Sequence, residues 1–454
     1  MQTTSFDGRR GERGQTIILV AISLISLLAM AALAIDVVTL YVARTEIQRA
    51  ADAAALAGAK AMADSGITTL PTSDPAFSSG NVQVLAQSMA TSAITAVLAA
   101  PNNQVSGFTV APGSPTFNFP ASPGAAPVNN PHVTVTLQQA GLPTFFAHIW
   151  GTKTATAAAT ATAEAYNPAN TPSGTNFTPI APRSVKPWLV ANYDPLQPPG
   201  TTFVNIATGA VENGAIGETF DLDADCLNTH HFHCRLNDNP LKAHPAPPST
   251  YPYVDYVPAP PSANTANVCP TGCGGGTQYE QTIECADADQ YAYYQCGTNN
   301  NGTTISWWGG ANPNGIGNGG GNASADGVQC LTHATAAGPG QGQDTLTPGS
   351  WANGTAPFQI TGQSGNSVTT SSSIVTIPLI DATPALPAYP GGPVTIVGFL
   401  QAFINGYEPG FGGTTGDINI TVLNVVGCSG NANGTPIIGG AGTSPVPVRL
   451  ITPP

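Results

Sequence analysis

The chain has 454 residues, long enough for two or three domains with real cores. Only 8% of its residues are charged, against about 25% in an ordinary globular protein, and the net charge is −13. The first 64 residues hold six basic and six acidic side chains, so the imbalance falls on the remainder, six basic against nineteen acidic. Such a surface excludes nucleic acid as a partner, because phosphate binding needs clustered Lys and Arg.

Residues 1–15 form a short arm carrying Arg9, Arg10 and Arg13. The run from Thr16 to Ile35, TIILVAISLISLLAMAALAI, has no charge. As a helix it covers roughly the 30 Å hydrocarbon thickness of a bilayer. A helix satisfies its backbone polar groups internally, as lipid requires. Thr16 and Ile35 are therefore the expected ends of a membrane anchor, with Asp36 closing it. A cleaved signal peptide is one alternative, since Ala32-Leu33-Ala34 has the A-x-A form; a buried core helix is another. Against both stand the length of the apolar run and the continuation of helical sequence beyond it.

From Asp36 the pattern stays helical to Ser65, where Gly66 supplies a left-handed stop. This stretch is crowded with alanine, among them Ala50, Ala51, Ala54, Ala55 and Ala59. Alanine favours helix and lets a neighbour approach closely. A second helix is expected over 81–99, with Leu85, Met89, Ile94, Val97 and Leu98 as its core stripe. Strands are expected at Val105–Val110 and Val133–Leu137. In TKTATAAATATAEAY the period is two. Ala155, Ala157, Ala159, Ala161, Ala163 and Ala165 share one face, and Thr154, Thr156, Thr160 and Thr162 the other. Residues 36–166 are thus expected to form one small α+β domain in which an all-alanine strand lies flat on the alanine-rich helix.

At this point the residues resemble a family. GQTIILVAISLISLLAMAALAIDVVTLYVARTEIQRAADAAALAGA is similar to the N-terminal segment of TadE/TadG-like proteins of the Flp (tight adherence) pilus-assembly system. VTVTLQQAGLPTFFAHIWGTKTATAAATATAEA resembles the end of the same module. The resemblance covers about the first 165 residues, with 13–60 its most specific part. It implies a bitopic inner-membrane protein with a cytoplasmic arm and an exported domain that serves pilus assembly. Prepilin-peptidase substrates carry Gly, then Glu as the fifth mature residue; here Gly14 is followed at that place by Leu19. The D-x-S-x-S adhesion motif of von Willebrand factor A domains is not present.

Residues 167–187 form a Pro-rich linker. The region 188–365 is rich in Cys, Gly and Asn, and 366–454 reads as cleaner β sequence. Its strand candidates are IVTIPLID, VTIVGFLQAFI, DINITVLNVV and VPVRLI. With 51 glycines and 42 prolines the chain stays below the fraction expected of outright disorder, so this part is a loop-rich β protein. The eight cysteines, Cys226, Cys234, Cys269, Cys273, Cys285, Cys296, Cys330 and Cys428, read as disulfide candidates in an oxidising compartment. Cys226–Cys234 and Cys285–Cys296 are the local pairing candidates.

Asp221, Asp223 and Asp225 have the 1-3-5 spacing of a calcium loop. Cys226 stands where that loop needs Gly and Phe232 where it needs Glu, so an EF-hand is excluded. His230, His231, His233 and Cys234 could ligate zinc, although a Cys226–Cys234 disulfide with surface histidines is the simpler account. CPTGC, from Cys269 to Cys273, has three residues between its cysteines where redox and zinc-ribbon pairs have two. Asp287 and Asp289 read as a solvated acidic turn. Tyr251, Tyr253, Tyr256, Trp307 and Trp308 could form a sugar-binding platform or the core of a loop-rich domain, with the core favoured. Arg44, Glu46, Arg49 and Asp52, just past the anchor, could form an assembly face or a solvated helix side.

The expected fold is α+β: an N-terminal transmembrane helix extending into a small exported α+β domain, then a loop-rich, disulfide-containing, mostly-β region. The expected protein is a membrane-anchored, non-catalytic component of a Flp/Tad-type pilus or secretion apparatus. It would lie in the inner membrane with its N-terminus cytoplasmic and its bulk periplasmic or extracellular. Its partners would be membrane lipid and other pilus-assembly subunits, with no cofactor, metal or small-molecule substrate. The alternative is an anchored adhesin or glycan-binding protein.

Overall fold

The computed structural model describes residues 9–68, 80–99, 107–119, 130–147, 151, 153–165, 180–181, 185–206, 211, 215–225, 236, 238–245, 252–260, 277–285, 304–307, 323–333, 343–348, 358–366, 371–388, 391–409, 416–428, 438–439, 446 and 448–451. A single uninterrupted helix, α1 (Arg9–Asp64), runs 56 residues with no proline to break it, about 84 Å at the usual rise. From Ile17 to Val38 its large apolar side chains stand exposed, as do Tyr41 and Val42, while Leu40 packs on the folded domain. The helix is long and apolar enough to cross a membrane, and its most apolar window has no residue buried in the protein. The hydroxyls of Ser23 and Ser26 bond back to the carbonyls of Val20 and Ile22 at 2.9 and 2.8 Å. Each hydroxyl in the apolar run thus finds an acceptor on its own helix, which removes most of the cost of placing it in lipid. The helix stops where expected: Ser65 N–H reaches Ala61 O, and Gly66 turns the chain at a φ of 76°.

The second half of α1 is the centre of a small domain. Helix α2 (Asn81–Ala99) packs on it through Val82, Ala86, Ala90 and Ile94. α2 also has the length and hydropathy of a span, but a third of it is buried against α1, so it behaves as a core helix. Opposite lies an antiparallel sheet of β1 (Phe108–Val110), β2 (Thr116–Asn118), β3 (His132–Pro143) and β4 (Thr154–Ala165). The expected strand at 105–110 begins at Phe108, residues 105–106 lying outside the described residues, and the one at 133–137 extends over 132–143. On β4, Ala157, Ala159, Ala161, Ala163 and Ala165 are all buried. Four of these, all but Ala165, share one core with Ala50, Ala51, Ala54, Ala55 and Ala59 of α1. On the other face, Thr134 and Thr136 of β3 pair their hydroxyls with Thr162 and Thr160 of β4 at 2.9 and 3.0 Å, a cross-strand contact that holds the register.

Beyond β4 the chain makes β5 (Ile180–Ala181) and then β6 (Trp188–Ala191), β7 (Thr219–Ala224), β8 (Ala243–His244) and β9 (Tyr253–Pro258). Helix α3 (Gln278–Glu284), β10 (Thr304–Ser306), helix α4 (Ala323–Leu331) and the hairpin β11 (Thr345–Pro348) and β12 (Phe358–Thr361) follow. Next come β13 (Ile374–Ile380), β14 (Pro393–Pro409), β15 (Gly416–Gly427) and β16 (Ile438–Gly439), which pairs with β5. The hydrogen-bonded order β14-β13-β6-β9-β7-β15 returns to β14, so six strands close into a barrel, with β10 and β8 added at its margins. β14 is 17 residues long and carries two register shifts against β15, which bend it around the closure. The expected separation of 188–365 from 366–454 is therefore not seen: β6, β7 and β9 alternate with β13–β15 in one sheet.

The barrel interior and its cover are aromatic and aliphatic. Trp188 meets Tyr256 edge-on at 6.4 Å, and Phe203 stacks with Phe220 at 5.7 Å. Tyr256 and Tyr279 share Ser324 Oγ at 3.0 and 3.3 Å, tying α3 and α4 to the barrel wall. The buried Lys186 ammonium donates to the carbonyls of Ile283 and Cys285 at 2.6 and 3.2 Å, closing the C-terminal end of α3.

The last described strand, β17 (Val448–Ile451), leaves the barrel and pairs antiparallel with β4. Arg449 Nε donates to Glu164 Oε1 at 2.6 Å across that pair. The segment VPVRLI, expected among the C-terminal strands, thus completes the small N-terminal domain, and the barrel is an insertion between β4 and β17. The two bodies also meet at the end of α1. Gln401 on β14 reaches Asp64 at 3.4 Å and accepts from Asn424 on β15 at 2.6 Å, while Asp64 pairs with Lys60 at 2.6 Å.

Of the disulfide candidates, Cys285, Cys330 and Cys428 are described, and none of them is a free thiol. Cys226, Cys234, Cys269, Cys273 and Cys296 lie outside the described residues, and with them both expected local pairs.

Gly58 marks a close approach of α1 to α2 and β3. A Cβ there would stand 2.9 Å from Ile94 Cδ1 and 3.2 Å from Val133 Cγ1. Gly58→Ala is expected to stay within about 1 kcal/mol of the parent, helix propensity offsetting the squeeze. Gly58→Leu should lose roughly 1–3 kcal/mol by overpacking, as read from denaturant unfolding of the full chain in detergent.

Candidate functional site

Two places gather polar groups against the grain of their surroundings. The first is where the apolar half of α1 meets the folded domain. Asp36 is the first charge after the apolar run, yet it is only 5% exposed. The turn after β3 explains this. The backbone N–H of Phe145 donates to Asp36 Oδ1 at 2.7 Å, and those of Phe146 and Ala147 donate to Oδ2 at 2.8 and 3.0 Å. The amide of Ala147, then that of Phe145, hold the carboxyl below its usual range against the cost of burial, and Phe146 adds to them. The carboxylate thus fixes the angle between helix and sheet while its charge is spread over three amides. Phe145 is itself 62% exposed, and Val37, Val38, Tyr41 and Val42 are exposed on the next turns of α1.

Further along α1, Arg44, Glu46 and Arg49 are exposed, whereas Asp52 accepts from Gln48 at 2.7 Å. Gln48 also donates to Thr160 O at 3.2 Å, so that side of the helix is committed to the sheet. The exposed charges are placed where another helix could read them.

The second place is a carboxylate-rich edge of the barrel. Asp221 and Asp223 lie on β7, with Asp225 just beyond it. Their 1-3-5 spacing therefore puts them on one face of a strand, not around a calcium loop. β9 runs parallel, with Asp255 opposite Asp223. Asn419 Nδ2 donates to Asp221 Oδ1 at 2.6 Å, and the backbone N–H of Asp238 donates to Asp225 Oδ1 at 2.8 Å. Asp255 accepts from Lys242 N at 2.8 Å and lies 3.2 Å from His244 Nε2. Asp238 holds Lys242 Nζ at 2.8 Å and is 3.4 Å from the same imidazole nitrogen. The His244 ring stacks on Tyr253 with centroids 4.3 Å apart.

Asp238, His244 and Asp255 can each offer one ligand atom within 4.8 Å of the others, a set that suits a borderline divalent cation. The same atoms also satisfy one another as an ion-pair network. Burial, then the charge of Asp255, push the Asp223 carboxyl up to about 6. Asp255 is likewise raised, chiefly by burial, against the opposing Lys242 amide. A separate pair, buried Asp194 and half-buried Glu218, lies between β6 and β7. Burial and the neighbouring Asp194 push Glu218 up to about 8, although Gln197 Nε2 donates to it at 3.1 Å.

Of the residues singled out in the sequence, Asp221, Asp223 and Asp225 are brought together with carboxylates that the spacing did not mark: Asp238, Asp255 and Asp417. His230, His231, His233, Cys234, Asp287 and Asp289 lie outside the described residues. Tyr256 and Trp307 are fully buried, in keeping with the core reading of the aromatics, and Tyr253 is half-buried under His244. Tyr251 and Trp308 are outside the described residues. The sequence marks Asp36 only as the end of the apolar run. A lone acid facing LPTFFAHIWG was its signal, but its acceptor role needs the turn folded against it.

Residues 14–61, all within α1, match the family described as putative Flp pilus-assembly TadE/G-like. No curated protein and no solved structure matches the chain.

The raised carboxyls bind protons in the folded state that they release on unfolding, so stability falls as pH rises through them. Thermal melting of the full chain is expected to weaken from about pH 5 to pH 8. Glu218→Gln should flatten the upper part of that fall, and Asp223→Asn the part up to about pH 6. A melting temperature that rises over this interval would contradict the assignment.

Proposed function

We propose that this chain is a single-span, non-catalytic structural component of a Flp/Tad-type pilus-assembly apparatus, anchored in the inner membrane. Its N-terminal arm lies in the cytoplasm and its two folded bodies lie outside. The observation that carries this reading is the continuity of α1. One helix carries uncovered apolar side chains through the span and as far as Val42, with Asp36 and Leu40 already committed to the folded domain, and is then the core of that domain to Asp64. An anchor joined through a flexible linker would only tether. A rigid one transmits position, which suits an assembly part that must hold exported domains at a set height and angle above the bilayer.

The family match falls on this same helix and supports the pilus-assembly role. Other subunits would be met through the exposed helix face that carries Arg44, Glu46 and Arg49. The cysteines would pair as disulfides in the oxidising space outside the membrane, consistent with the lack of a free thiol among those described. The carboxylate edge of the barrel acts here as a structural network and not as a reaction centre. An adhesin reading draws less support, since Tyr256 and Trp307 are core residues and not a platform.

In the source cell, loss of the chain is expected to abolish Flp-type pili, counted by electron microscopy, and the full chain to restore them. A secreted form lacking residues 1–35 should not restore them; if it does, the anchor is dispensable and the reading fails. His244→Ala should leave piliation at the parental level, whereas loss of pili from a stably folded His244→Ala chain would point to a chemical role for the cluster.

A further inference from the structure

We infer that the turn at 144–147 is a second membrane contact, seating the folded domain on the bilayer surface through Phe145 and the ring of apolar side chains just past Asp36. This rests on the reading of 16–35 as a membrane span and specifies which surface of the folded part touches lipid.

The sequence places the water boundary at Asp36, its first charge after the apolar run. The geometry moves that boundary. Asp36 is buried, and its two carboxylate oxygens are taken up by three backbone amides, so no bare charge faces outward at this level. Past it the exposed surface of α1 remains apolar for another turn and a half. Val37, Val38, Tyr41 and Val42 are 57, 60, 72 and 49% exposed, and the first outward-facing charge is Arg44. The six positions from Val37 to Val42 rise about 9 Å, enough to cross one headgroup layer of about 5–7 Å, half of the roughly 10–15 Å by which the whole bilayer exceeds its hydrocarbon core. A tyrosine at that height has the amphipathic ring that interfaces favour.

The same clasp delivers Phe145 to this level. Its amide is bound to Asp36, and its ring is exposed, as are the apolar groups of α1 just past Asp36. In water Phe145 and the four exposed side chains of α1 would all stand uncovered at this level. Continuity with the span identifies the occupant as lipid. The uncovered side chains of α1 begin where the transmembrane surface ends, with no polar belt between them. Asp36 then acts as a positioning residue: it bends the turn down to the surface and keeps its own charge satisfied there.

Photo-crosslinking in the full chain tests this. The chain would be reconstituted in vesicles of phosphatidylethanolamine and phosphatidylglycerol, with p-benzoylphenylalanine replacing, one at a time, Leu28, Phe145 or Leu196. Leu28 reports the span, and Leu196 is an exposed apolar residue of the barrel. After irradiation, lipid adducts are read by mass spectrometry of the peptides. Adducts at 28 and 145 with none at 196 support the inference. Adducts at 28 alone, or protein adducts in place of lipid at 145, overturn it and leave the span intact. Equal labelling at 145 and 196 overturns it as unspecific adhesion. No lipid adduct at 28 overturns the span reading itself.

Discussion

Two alanine faces pressed together hold this molecule in its shape. The exposed flank of a long helix cannot be both a membrane surface and a protein core unless its chemistry changes along its length, and α1 does this by exchanging bulky aliphatics for alanine beyond Ala43. Alanine buries little area per residue, so the contact depends on closeness and on the number of atoms brought within dispersion range. β4 supplies the matching surface because its alanines recur at every second residue and so fall on one side of a strand. Gly58 lies where α1 comes close to α2 and β3, with Ile94 and Val133 leaving room for little beyond a methyl group.

The rest of the architecture is referred to that contact. The small sheet is fastened at one end by Asp36, which grips the turn after β3, and at the other by β17, which returns from the far end of the chain to pair with β4. Ala63 and Ala165 of the small domain pack into the barrel's core, and Asp64, Gln401 and Asn424 form a polar contact between its wall and the last turn of α1. A barrel inserted in this way cannot swing freely on a linker. Its position is set by the helix, and the helix would be set by the membrane.

The barrel also carries more negative charge than its neighbourhood readily accommodates. Asp221, Asp223, Asp225, Asp238 and Asp255 converge on one edge, partly offset by Lys242 and His244, and half-buried Glu218 lies beside buried Asp194. These groups are tolerable because most accept backbone or side-chain hydrogen bonds. Their raised proton affinities record the remaining strain. The arrangement makes the barrel more comfortable in mildly acidic surroundings than in alkaline ones.

Much of the N-terminal half was legible in the residues alone, because its signals are local and periodic. A charge-free run of helical sequence, a period of two in TATAAATATA and a glycine at the end of the helix each describe their own element, and each element is found where its pattern lies. The closure of the barrel, the mixing of β6, β7 and β9 with β13–β15, and the return of VPVRLI to β4 were not legible. Strand pairing between residues hundreds of positions apart depends on backbone hydrogen bonds, which carry no side-chain signature. The candidate sites divide in the same way. Asp221, Asp223 and Asp225 were visible as a spacing, but whether that spacing meant a loop or a strand was decided by the sheet, and Asp255 joined them only through its register. Asp36 was visible as a charge; that it is an acceptor for three amides at the foot of the domain was decided by tertiary structure, since the donors lie more than a hundred residues away.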